Sequence, residues 1–237
     1  NSTSGQFKAI KNGGAPIGTW ASGGDMNTQG YQLFSLGTQT AAIRAGGYGG
    51  PPVGYQGNAE QYNGTSWTAL SAINDSRSNE AGAGSGTVTA GLIYGGNTPP
   101  STGNTETFNG SSWTEVNDLN TAREQSNNWG TSTSAISAGG VNTPGATIAS
   151  VERWDGTSWT EITDLNVGRR RAGTSGPDNT SGLFFGGDSP TPALVASTEH
   201  FDGSAWTEVG DLAEARGMEA SAGHSAGSSL AIGGNTS

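Results

Sequence analysis

Four stretches decide the reading of this chain: EQYNGTSWT (60–68), ETFNGSSWT (106–114), ERWDGTSWT (152–160) and EHFDGSAWT (199–207). Each has Glu, then an aromatic, then Asn-Gly or Asp-Gly, then Trp-Thr. Asn-Gly and Asp-Gly tolerate positive φ, which makes them the strongest local signal for a tight β-hairpin. Glu-x-aromatic is therefore one strand and Trp-Thr the next. The tryptophans of these hairpins, Trp67, Trp113, Trp159 and Trp206, follow one another at spacings of 46 or 47, and Trp20 extends the series backwards by 47. A period of this length with several short strands is that of a propeller blade.

Other columns keep the same period. Gly-Gly closes an apolar stretch at 46–47, 95–96, 139–140, 186–187 and 233–234. Arg77, Arg123, Arg169 and Arg216 each stand ten residues after a tryptophan. Each unit then supplies four strands: one of small residues after the arginine (Ser78–Gly84, Gly217–Gly223), one ending at Gly-Gly (Thr87–Tyr94, Ser181–Phe185), and the two of the hairpin. No segment has helical apolar spacing. The expected fold is all-β: one domain over 1–237, a five-bladed β-propeller of four-stranded blades. The chain opens on Gln6–Ile10 and Gly18–Trp20, which read as third and fourth strands, and closes on Leu230–Gly234, a second strand. The fifth blade is thus expected to be shared between the termini, which removes the open sheet edges.

These columns together resemble the kelch repeat, over the whole chain. The first unit departs most, with Gly30 in the arginine slot and a longer hairpin, NGGAPIGTW (12–20). The wording NGTSW-TE-x-x-DLN-x-x-R is also similar to Gly/Ser/Thr/Asn-rich kelch-like repeats in structural proteins of tailed, especially marine, bacteriophages. That resemblance implies a virion-surface or extracellular location.

Composition narrows the function. The 237 residues carry 41 Gly, seven Trp, no Cys and a net charge of −10. With only 13 % of residues charged, the chain is not a solvated polyelectrolyte, and the glycine is consumed by turns. No apolar run is long enough to span a membrane, and no basic patch suggests nucleic acid. Absence of Cys removes thiol nucleophiles and Cys-ligated metals. His200 and His224 are the only histidines and occupy different slots. No metal-ligand spacing occurs, and neither a cofactor nor an enzyme is expected. The chain begins at Asn1 with no secretion leader, which is compatible with processing or with a domain from a longer polypeptide.

The repeated residues read as scaffold. Trp20, Trp67, Trp113, Trp159 and Trp206 are expected to pack between blades, Trp154 to join them from the aromatic slot, and Trp129, outside the repeat, to be exposed. Glu60, Glu106, Glu152 and Glu199 occur in the four units that also have the arginine, and the first unit lacks both. That joint pattern suggests bidentate Glu–Arg pairs; a ring of arginines for an anionic ligand is the alternative. Asp25, Asp118, Asp164 and Asp211, five residues after tryptophans, read as turn formers.

Recognition is expected elsewhere. The segments after Gly-Gly are long and dissimilar: YGGPPVGYQGN (48–58), NTPPSTGNT (97–105), VNTPGATIAS (141–150) and DSPTPALVAS (188–197). Variable loops on a rigid scaffold are where binding usually resides. Beside them, Tyr31-Gln32, Ser78-Asn79, Glu124-Gln125, Arg170-Arg171 and Met218-Glu219 should ring a channel mouth. The candidate binding residues are Tyr31, Tyr48, Tyr55, Asn97, Asn142, Arg170 and Asp188. The opposite face holds the uniform hairpins and links such as Gly84–Thr87. The expected function is non-enzymatic: attachment to a host-surface glycan or protein, or docking to another virion protein. A kelch-scaffold enzyme acting on glycans, a hydrolase or epimerase, is the alternative.

Overall fold

The computed structural model describes residues 23–79, 84–191, 193–217, 220–225 and 227–236. The proposed N-terminal strands Gln6–Ile10 and Gly18–Trp20 lie outside them. Every element among the described residues is a β-strand.

Four antiparallel sheets of four strands follow one another. The first is β1 (Phe34–Thr38), β2 (Ala41–Ala45), β3 (Ala59–Tyr62) and β4 (Trp67–Leu70); the second is β5 (Gly84–Thr87), β6 (Ala90–Tyr94), β7 (Thr105–Phe108) and β8 (Trp113–Val116). A two-residue pair, β9 (Arg123–Glu124) and β12 (Val141–Asn142), flanks the third sheet of β10 (Asn127–Thr131), β11 (Ser134–Ala138), β13 (Val151–Trp154) and β14 (Trp159–Ile162). The fourth is β15 (Gly173–Asp178), β16 (Ser181–Phe185), β17 (Thr198–Phe201) and β18 (Trp206–Val209), and a hairpin of β19 (Ala220–Ser225) and β20 (Ser228–Ile232) follows. The first strands lie side by side, β1 against β5, β5 against β10, β10 against β15 and β15 against β19. This is a propeller-like arrangement.

The hairpins form as their residues dictate. The side chains of Asn63, Asn109, Asp155 and Asp202 each accept hydrogen bonds from the backbone N–H groups two and three residues on. The glycines after them, Gly64, Gly110, Gly156 and Gly203, hold φ between +93° and +97°. Each hairpin sets its tryptophan against the aromatic across it, as in Phe108–Trp113 at 4.8 Å and Phe201–Trp206 at 5.0 Å between ring centroids. Trp159 also meets Tyr94 of the preceding sheet at 4.6 Å. Trp113, Trp159 and Trp206 are buried, Trp67 is half-buried, and Trp20 lies outside the described residues. Burial of one such ring contributes roughly 2–3 kcal/mol.

Two strand expectations change. Ser78 belongs to a bridge with Asn97, and Gly84–Thr87, expected as a link, is a strand of the second sheet. Trp129 is a correction of substance. It is only 5 % exposed, lies on β10, meets Trp206 at 6.0 Å and donates its indole N–H to the Asp178 carbonyl at 2.8 Å. A Cβ at Gly176 or Gly182 would come within 2.1–2.4 Å of its ring. Two glycines of the neighbouring sheet thus make the room that a lone tryptophan fills.

Candidate functional site

The second glycine of the first four Gly-Gly pairs donates its N–H to the carbonyl of the next arginine: Gly47 to Arg77 at 2.8 Å, Gly96 to Arg123 at 2.9 Å, Gly140 to Arg169 at 2.8 Å and Gly187 to Arg216 at 2.8 Å. The first glycine has no room for a side chain, because a Cβ at Gly139 would lie 2.2 Å from the Arg169 carbonyl. The arginine backbone is thereby fixed to one sheet while its guanidinium enters the next. Arg77 reaches Glu106 at 2.6 Å, Arg123 reaches Glu152 at 2.8 Å and Arg169 reaches Glu199 at 2.5 Å. All six side chains are buried.

The pairing fixes which glutamate each arginine meets and differs from the expected one in its geometry. Each arginine takes the glutamate that follows it in sequence, so Glu60 and Arg77 are not partners. Each contact uses one carboxylate oxygen, not two. The second oxygen of Glu106, Glu152 and Glu199 accepts from the backbone and side-chain N–H groups of Asn74, Asn120 and Asn166. The guanidinium spends its other donors on carbonyls, for example Gly139 and Ser150 for Arg123. An arginine so committed is not available to a ligand, which argues against the ring-of-arginine alternative. Asp118 serves as a local cap, accepting from the Thr105 N–H at 3.0 Å.

Glu60 lacks such an arginine because Gly30 occupies the slot. Arg44 on β2 supplies the guanidinium instead, directly across the ladder from Glu60 on β3. It also donates to the carbonyls of Thr28 and Asn58, the counterparts of those bound by Arg123 at Thr121 and Ser150. Burial raises the Glu60 pKa, but hydrogen bonds from Arg44 and from both N–H groups of Asn27 outweigh it, holding the pKa at about 2. A recess of about 330 Å³ beside Glu60 is lined by Asn27, Thr28, Ala72, Ile73 and Ser76. Its one carboxylate is already committed to these partners. Arg216 is bonded to Gly233 O at 2.9 Å and paired with the exposed Glu214 at 3.2 Å.

The candidate binding residues occupy a rim built the same way in every sheet. Tyr31 bridges Tyr48 and Tyr48 bridges Tyr55; Ser78 bridges Asn97 and Asn97 bridges Ser101; Arg170 bridges Asp188 and Asp188 bridges Leu194. In the third sheet Glu124 pairs with Val141, and Val141 with Thr147. Val141 therefore holds the rim slot expected for Asn142, whose side chain instead caps the Ala146 N–H at 3.1 Å. Gly217 pairs with Asn235, so Gly217, and not Met218, is the counterpart of Arg170. The next residues link sheet to sheet: Asn79 N–H donates to Gln32 O at 2.9 Å, Gln125 N–H to the Asn79 side chain at 3.0 Å, and Arg171 N–H to Gln125 O at 3.3 Å. Gln32, Gln125 and Arg171 hold φ between +50° and +57° to make this chain.

Three rim clusters result. Tyr31, Tyr48 and Tyr55 pack edge to face. Asn97 donates to Glu124 at 2.5 Å. Arg170 and Arg171 both pair with the buried Asp188. The Tyr55 hydroxyl is pushed up in pKa by burial first, then by the charge of Glu124 and by Tyr48 and Tyr31. Among the described residues no group of three or more His, Asp or Glu side chains is placed to hold a metal ion. Sequence reasoning missed Arg44, which looks like an ordinary strand residue. It also missed the asparagines Asn27, Asn74, Asn120 and Asn166, although their place seven residues after each tryptophan was visible, with Ala213 in the fifth.

No protein-family model matches the chain, and no curated protein matches it in sequence. Solved structures do match in fold. One, described as the structure of YjhT, has a TM-score of 0.67 and 11 % identity, over 83 % of this chain and 70 % of the other. At that identity the likeness concerns the fold alone, and with the four-stranded antiparallel sheets it supports a β-propeller-like architecture.

Proposed function

We propose that this chain is a non-enzymatic binding module: a five-bladed kelch-like propeller, closed by Gln6–Ile10 pairing with β20, that presents its rim to a ligand. The observation that carries this reading is the contrast between two sets of positions. The buried Glu–Asn–Arg pockets are alike, even where the guanidinium comes from Arg44. The rim slots bridged over them differ in every sheet, from tyrosines to Asn97, Val141 and Asp188. A fixed scaffold under divergent side chains is what a recognition surface requires. What favours binding over turnover is that the rim carboxylates Glu124 and Asp188 are held by Asn97 and by Arg170 and Arg171.

The Gly/Ser/Thr/Asn-rich wording of the repeats supports a place in a tailed-phage virion, on a tail or capsid-associated protein. The ligand is then a host-surface glycan or protein, or another virion protein. Binding to host surface material and to a glycan array, with turnover assays on every hit, tests the reading. Tyr55→Ala should weaken attachment about tenfold, roughly 1.4 kcal/mol, with the fold intact. Asn63→Ala, in a hairpin on the opposite face, should leave attachment unchanged. Attachment that depends on Asn63 and not on Tyr55, or turnover of a bound glycan, overturns it.

A further inference from the structure

The first sheet's rim carries three tyrosines in one cluster. Tyr31 meets Tyr48 at 5.6 Å with the ring planes at 79°, and Tyr48 meets Tyr55 at 5.1 Å and 61°. Rings at such angles turn their faces in different directions, so they wall a corner rather than offer one flat stacking plane. Tyr31 is 54 % exposed, and the neighbouring loop adds exposed Pro51, Pro52 and Val53.

Glu124 lies on the same rim, and its carboxylate reaches back to Asn97 of the second sheet. The hydrogen-bond chain through Gln32, Asn79 and Gln125 sets Tyr31 and Glu124 on one rim. The hydrogen bond that Glu124 accepts from Asn97 comes from a neutral amide, which leaves its charge in place. That charge is felt at the Tyr55 hydroxyl. Polar side chains around the corner spend their donors on the protein itself. The Asn97 amide goes to Glu124, the Ser78 hydroxyl to Gln32 and the Gln56 amide to the Gln29 carbonyl. Beyond the tyrosine hydroxyls and the Glu124 carboxylate, a hydroxyl-rich ligand would find few partners here. What remains is aromatic surface, whose faces are electronegative, beside a carboxylate, and both attract a cation that carries its charge on an apolar body.

We propose that the corner formed by Tyr31, Tyr48, Tyr55 and Glu124 binds an alkylammonium group, of the kind borne by a methylated lysine side chain or a choline headgroup. This rests on the rim being the binding face and adds the chemistry of its ligand.

Titration of the full chain with choline, and in parallel with dimethylbutanol, its uncharged isostere, tests the proposal. Choline is expected to bind with a Kd of about a millimolar, and dimethylbutanol at least about tenfold more weakly. Tyr31→Ala and Glu124→Gln should each weaken choline several-fold without moving the unfolding midpoint. A trimethyl-lysine peptide and phosphocholine, titrated as competitors, identify the source by which displaces choline at the lower concentration. Equal binding of the uncharged isostere, or choline binding indifferent to Tyr31→Ala, overturns the proposal. Should Tyr55→Ala abolish attachment while choline neither binds nor competes, the ligand class is wrong and the rim reading stands. Should Tyr55→Ala leave attachment intact as well, both fall.

Discussion

Arg44 stands directly across the β2–β3 ladder from Glu60 and fills a pocket that Arg77, Arg123 and Arg169 fill in other sheets from a different part of the chain. The counterparts of Arg44 in the ladder are Ile93, Ser137 and Phe184, each facing its own glutamate. The pocket is therefore defined by its acceptors, a carboxylate and two carbonyls, and any guanidinium that reaches them completes it. A buried carboxylate left without a cation is costly, which explains why the loss at Gly30 coincides with a gain at position 44.

That equivalence can be tested by moving the arginine. Arg44→Ile, copying the second sheet, should cost roughly 3–5 kcal/mol by stranding Glu60. Gly30→Arg in the same chain should recover a large part of this. A Cβ at Gly30 meets the flexible Gln56 side chain at 2.9 Å and no backbone closer than 3.5 Å. Urea midpoints of the single and double variants decide it; no recovery in the double variant means the two routes are not interchangeable.

Acid should act on the same pocket. The Glu60 pKa lies at about 2 in the folded chain against an ordinary 4.5. A depressed folded pKa stabilises fully above the unfolded value, and the contribution is lost as pH falls from about 4.5 through about 2. A shift of this size corresponds to roughly 3 kcal/mol. Glu60→Gln should therefore be less stable than the parent at pH 7, and the difference should shrink as the pH approaches 2. Melting temperatures of both proteins from pH 7 to 2 measure it, and a constant gap would contradict the assignment.

Much of this was legible in the sequence, and the failures have physical causes. Trp67, Trp113, Trp159 and Trp206 marked the period because a large ring at one slot is what adjoining sheets need. Asn63-Gly64 and its counterparts marked the hairpins because the turn depends on those two residues alone. The columns could not say which glutamate an arginine meets, since Glu60 before Arg77 and Glu106 after it both recur at a nearly fixed offset from it until the sheets are stacked. Arg44 was invisible because its role depends on a residue missing fourteen positions earlier. Trp129 was misread because its cavity is made by Gly176 and Gly182, which are distant in sequence and look like turn glycines.

The Trp129 cavity gives a prediction of its own. Trp129→Ala should destabilise the chain by about 3–5 kcal/mol, as for other large-to-small changes at buried aromatics. Gly182→Ala should also destabilise, because its Cβ would lie 2.4 Å from the indole. If the clash is the whole cause, Gly182→Ala should cost little in a Trp129→Ala background. A double-mutant cycle on thermal or urea unfolding reads this coupling, and strict additivity would place the cost of Gly182→Ala elsewhere.

The last prediction concerns closure of the ring. In the second, third and fourth sheets the arginine carbonyl accepts from a Gly-Gly N–H of the preceding sheet, and its side chain enters its own sheet to meet a glutamate on the third strand. Arg216 keeps the first half of this pattern through Gly187, and its side chain reaches Gly233 beside β20. On the closure proposed above, Gln6–Ile10 is the third strand of that fifth sheet; Ala9, or Gly13 if the gap is placed differently, then falls in the glutamate slot and Ala213 in that of the supporting asparagine. Ala9→Glu should then raise the unfolding temperature by recreating the pair with Arg216, and adding Ala213→Asn should raise it further. Because Arg216 is now served by the exposed Glu214, the gain should be modest, about 1–2 kcal/mol. It should vanish in an Arg216→Ala background, since only that guanidinium can answer the new carboxylate. A gain that survives Arg216→Ala, or a loss of stability from Ala9→Glu that Ala213→Asn does not relieve, would mean that Gln6–Ile10 does not pair with β20 in this register.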